Sequence, residues 1–138
     1  MVIALTVADI DKIATNMIAL YVKGDLTAAE EQITDYARHP RLAALLVATL
    51  AGMGQTLDYV ELLDDDIVQP EPGYERRDEI SHYVRALLCD DEGTCNRIIA
   101  EWSKEKLPGS EQYKMLCIIM RSVVATIVHL LKTPGAKR

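Results

Sequence analysis

The 138-residue chain contains no phenylalanine, and one tryptophan and six tyrosines are its only aromatics. Its core must therefore come from Leu, Ile, Val, Ala and Met, a palette that suits packed helices better than a β-sandwich. Cysteine is sparse too. Cys89, Cys95 and Cys117 make an odd number, which fits reduced thiols in a cytoplasmic setting better than a disulfide framework. The opening MVIALTVADID has no basic region and meets Asp9 and Asp11 early, unlike a secretory leader. Positive charge is also short: 15 Lys and Arg stand against 21 Asp and Glu, a formal net charge of −6. A nonspecific nucleic-acid or anionic-membrane surface needs clustered excess cations. Neither nucleic acid nor membrane is an expected partner.

Motifs of catalysis and cofactor binding are missing as well. The chain has no Gly-x-Ser-x-Gly elbow, no P-loop and no Gly-x-Gly-x-x-Gly. Glu79 and His82 form a single Glu-x-x-His, whereas a di-iron bundle needs two such pairs and two further inward carboxylates. His82, Cys89, Cys95 and His129 match no zinc-ligand spacing. The expectation is a protein without catalytic residues, metal or cofactor, and not an enzyme.

Helical signals fill the rest. Between Arg41 and Asp58 lie sixteen uncharged residues. At 100° per residue Leu42, Leu45, Leu46, Leu50 and Met53 share one stripe, and Ala44, Ala48, Ala51 and Gly52 lie opposite. A helix apolar on nearly its whole circumference belongs inside a protein, so this stretch is read as the buried central helix. Its stripe continues in phase through Leu57, Val60 and Leu63, giving one long bent helix or two collinear ones that end at Asp64-Asp65-Asp66. Gly52 and Gly54 within it suit close packing more than a hinge.

The other helices follow from their punctuation. Thr6 and Asp9 open a helix over Val7–Lys23, which Gly24 stops. Thr27 and Glu30 form a capping box for a second helix, ending before Pro40, which starts the third. Ile67–Gly73, with two prolines, reads as an extended linker. Beyond it, helices are expected over about 74–89, from a Thr94 cap to Lys106, and from a Ser110 cap over about 111–132. In the last, Leu116, Ile119, Met120, Val123, Val124, Ile127, Leu130 and Leu131 face the core, and Lys114, Arg121, Ser122, Thr126, His129 and Lys132 face water.

The fold expected is an all-α, single-domain bundle of about six helices. It divides into two three-helix units, about 6–66 and 74–132, joined by linker 67–73 and with a possible pseudo-repeat. Leu42–Leu63 and Leu116–Leu131 should pack together as its spine. The functional expectation is non-catalytic protein–protein interaction or assembly, with homo-oligomer formation and a protein partner whose identity the residues do not name. Ala44, Ala48, Ala51 and Gly52 supply a face for close helix approach, within the bundle or across a two-fold axis. Two other readings stand beside it. One is a DNA-binding regulator using the second half, although basic and acidic residues alternate there. The other is an acidic inhibitor or immunity-type protein that meets a basic partner through Asp58, Glu61, Asp64, Asp65, Asp66 and Glu71. A small-molecule pocket near Gly52–Gly54 is left open.

Overall fold

The computed structural model describes residues 6–57 and 61–132. Six α-helices run in the order α1 (Val7–Lys23), α2 (Leu26–Ala37), α3 (Pro40–Gln55), α4 (Arg77–Leu88), α5 (Glu92–Glu105) and α6 (Gly109–Leu131), with a short 3-10 turn at Asp64–Asp66. No strand occurs among the described residues. The all-α bundle of about six helices is the observed architecture.

α1 begins and ends where its residues say. The Thr6 hydroxyl accepts from the Asp9 amide at 3.2 Å, and the Asp9 carboxylate accepts from the Thr6 amide at 2.9 Å. These two bonds satisfy two of the free N–H groups of the first turn. Gly24 closes the helix at φ 81°, a left-handed conformation that costs a residue without Cβ little. Three other starts differ from expectation. Asp25, not Thr27, caps α2, accepting from the Ala28 amide, and Glu30 reaches away to Arg121. Asp91, not Thr94, caps α5, while the Thr94 hydroxyl donates to the Asp91 carboxylate at 2.7 Å. Ser110 caps nothing, because α6 already begins at Gly109 and the Pro108 carbonyl receives the first amides.

The largest correction concerns which helix is central. α6 holds that place. Ile118, Met120, Val123, Val124 and Thr126 are all but completely buried, and α1, α2, α3 and α4 pack around it. α6 is long and apolar enough to cross a membrane by length and composition, but two-thirds of that apolar window is buried inside the protein. Its expected wet side is wet only in part: Lys114, His129 and Lys132 are exposed, as is Leu131 of the expected core side. Ser122 and Thr126 are buried, and Arg121 is only partly exposed.

α3 makes its most extensive contact with α6, so the expected spine exists over Pro40–Gln55. Its buried face is Ala43, Leu46, Val47, Leu50, Ala51 and Gly54. Leu45, placed on the core stripe by the sequence pattern, is 55 % exposed. With no charged side chain after Arg41, nothing polar fixed the phase of the wheel. Gly54 is where α3 is pressed closest: a Cβ there would lie 2.4 Å from Leu88 Cδ2 and 3.2 Å from Ile127 Cγ1. Gly52 meets open space. The expected run to Leu63 stops at Thr56, whose hydroxyl takes the Met53 carbonyl at 2.6 Å, a local bond that competes with helical continuation. Val60 of that expected stripe lies outside the described residues.

After Leu62, buried beside the core, Asp64-Asp65-Asp66 form their own turn instead of ending α3. The Asp66 carboxylate accepts from the Leu63 amide at 2.8 Å. The segment 67–73 then runs along α6. Val68 donates its amide to Thr126 Oγ1 at 2.9 Å, and its carbonyl accepts from Ser122 Oγ at 2.8 Å. Two hydroxyls one helical turn apart thus satisfy both backbone groups of one extended residue, which burial would otherwise leave costly. Arg121 adds charge, binding Glu71 at 3.0 Å and gripping the Glu30 carboxylate with its other nitrogens.

Candidate functional site

The six helices are unequally partnered, and this produces an apolar concavity. α2 packs on α1, α3 and α6, whereas the only helix against which α5 packs extensively is α4. Its buried residues are just Cys95 and Ile98. Between α5 and the α3–α6 pair an apolar hollow of about 380 Å³ remains.

Each wall follows from helix spacing. Pro40, Ala44, Val47 and Ala48 come from α3, and Tyr83 and Leu87 from α4. Ile99 and Trp102 come from α5, and Gln112, Met115, Leu116 and Ile119 from α6. The small side chains at 44 and 48, one turn apart, give the hollow its depth on the α3 side. The Tyr83 and Trp102 rings pack at a tilt, centroids 5.3 Å apart and planes at 60°, a favourable aromatic arrangement. Trp102 Nε1 donates to Glu79 Oε1 at 3.2 Å, and Gln112 Nε2 to the Leu107 carbonyl at 2.8 Å. Among the described residues no charged side chain lines the hollow. Tyr83 is 9 % exposed; burial pushes its hydroxyl pKa up to about 12.

The face read from the sequence divides in two. Ala44 and Ala48 wall the hollow, and Gly52 stands in the open beyond it. Ala51, 3 % exposed, belongs to the core. The hollow lies along the first half of α3, not at Gly52–Gly54.

The acidic residues are mostly engaged. Asp64 binds Arg85 Nε at 2.7 Å and His82 Nδ1 at 3.3 Å. Asp66 caps its own turn and Glu71 is held by Arg121. Glu61 and Asp65 are exposed, and Asp58 lies outside the described residues. Glu79 and His82 turn to different partners, Trp102 and Asp64. Burial raises the thiol pKa of both Cys95 and Cys117, away from the reactive thiolate. No cluster of three or more His, Cys, Asp or Glu suited to a metal ion occurs among the described residues.

Tyr83 and Trp102 sit at helical spacing among the apolar residues of α4 and α5, and that spacing alone does not tell that both line a cavity. The available signal was the weak stripe of α5: Cys95, Ile98, Ile99 and Trp102 offer it too little apolar surface for two neighbours. Comparison of the chain with protein-family models, with curated proteins and with solved structures returns no match.

Proposed function

We propose that this protein is a non-catalytic, cytoplasmic interaction and assembly module that pairs with a second copy of itself through the open face of α3. The observation that carries the reading is Leu45, 55 % exposed on a helix face it shares with Ala44, Ala48 and Gly52, with the exposed polar residues Arg41 and Gln55 at its two ends. A single exposed leucine is ordinary. This one stands among side chains too small to hold a second helix away, and Gly52 has open space above it. In an isologous pair the same patch serves both partners. Leu45 of each copy would rest over Ala48 and Gly52 of the other. The engaged state of Asp64, Asp66 and Glu71 makes the acidic stretch a weaker docking surface than α3.

The test is molar mass by light scattering across a concentration series. A dimer is expected for the unmodified chain, and Leu45→Lys should return it to a monomer with unchanged helicity. A chain that stays monomeric at high concentration would sink the proposal. So would a dimer indifferent to Leu45→Lys.

A further inference from the structure

The hollow beside α5 borders the pairing face of α3 at Ala44 and Ala48 but extends beyond it to α4, α5 and α6, and the geometry points to a second role for it. We infer that it binds a small, neutral, largely apolar molecule carrying one hydrogen-bonding group. Its volume of about 380 Å³ falls within the range of small-molecule pockets. Among the described residues no charged side chain forms its walls, so they offer nothing to compensate a buried ion, whose desolvation is costly. Tyr83 lines the hollow and is nine-tenths buried as a residue; no described residue hydrogen-bonds its hydroxyl, which solvent still reaches and which is therefore free to pair with a ligand. A hydroxyl, ether or carbonyl on the ligand satisfies it. A peptide strand fits less well, since its row of backbone N–H and C=O groups would find few partners on these walls.

Trp102 is the only tryptophan in the chain and lines the hollow, so its indole N–H gives one unambiguous resonance for a titration of the full chain. The probe is 1-octanol, with octanoate and octylammonium as charged counterparts of the same length. A saturable shift of the indole signal is expected with 1-octanol, and at least tenfold weaker binding of both ions. Ala44→Leu, at an exposed position where a larger side chain fills the hollow without disturbing the core, should weaken 1-octanol at least tenfold. Tyr83→Phe should weaken it roughly three- to tenfold, the loss of one hydrogen bond. Circular dichroism establishes that both variants are folded.

Absence of saturation, equal binding of the ions, or an Ala44→Leu variant that binds like the parent would each overturn the inference. Saturation by an amphipathic helical peptide but not by 1-octanol would overturn it in favour of a protein ligand. Because Ala44 and Ala48 border both the hollow and the pairing face of α3, octanol binding is measured on Leu45→Lys as well, whose changed side chain does not line the hollow. Octanol saturation of a monomeric Leu45→Lys variant supports the inference apart from pairing, and loss of saturation there would overturn it.

Discussion

α3 and α6 are both built from aliphatic and small residues, yet one is open along a side and the other is enclosed. α3 has no charged side chain after Arg41, while α6 carries Glu111, Lys114 and Arg121. The helix richer in charge is the one more deeply buried. Freedom from charge therefore does not mark the centre of a bundle. What an exposed apolar helix costs depends on how much surface its side chains present, at roughly 25 cal/mol per Å². Alanine and glycine present little, so α3 can leave Ala44, Ala48 and Gly52 in water cheaply. α6, with long side chains on nearly every side, must be surrounded. Its few polar groups are accommodated because the segment 67–73 and Glu30 bring partners to them.

The contrast can be broken most forcefully by truncation. Met120→Ala on α6 is expected to lower stability by about 2–5 kcal/mol through the cavity it leaves. Leu45→Ala on α3, in solution dilute enough to be monomeric, should change it by less than about 0.5 kcal/mol. Urea denaturation measures both; equal losses would erase the distinction. The two glycines sharpen it within α3 alone. Gly54→Ala puts a methyl against Leu88 and Ile127 and should cost about 1–2 kcal/mol from overpacking. Gly52→Ala meets open space and should gain up to about 1 kcal/mol from helix propensity. Opposite signs in the same denaturation experiment are the expected result.

The smallest effect lies at the start of α5, the helix with fewest partners. Thr94 holds the Asp91 carboxyl pKa below its ordinary 3.8 through hydroxyl and amide bonds. A depressed carboxylate contributes stability above its unfolded pKa and loses it as pH falls through the folded value. Acidification from about pH 5 to about pH 2 should therefore weaken α5. Asp91→Asn, which keeps a capping oxygen, should lose that part of the acid dependence, read as helicity by circular dichroism.

Much of this fold is legible from local chemistry. Thr6, Asp9, Gly24 and Pro40 act within a turn of where they stand, so they place α1 and the start of α3 without tertiary information. The α3–α6 spine is readable because each helix carries its own apolar periodicity. Ambiguity begins where two residues compete for one task. Asp25 and Thr27 are both competent caps, and only the backbone path decides. It widens where burial depends on a distant segment: Ser122 and Thr126 look like a solvated edge until Val68, more than fifty residues away in the chain, arrives to use them. The hollow is the furthest from the sequence. It exists because α5 packs extensively on one helix where α2 packs on three, and the thin apolar stripe of α5 is the one trace of this in the residues themselves.

The hydroxyl pair on α6 has a consequence for the order of assembly. The helix around which the others gather is the last of the six to leave the ribosome. Until it emerges, Leu46, Leu50 and Ile33 have no complete surface to pack on, and Val68 has no hydroxyls to bind. The bundle must then close in one late, non-local step, the kind of long-range closure that slows folding. Until residues 109–131 are made, the chain keeps exposed an apolar seam that the finished bundle buries.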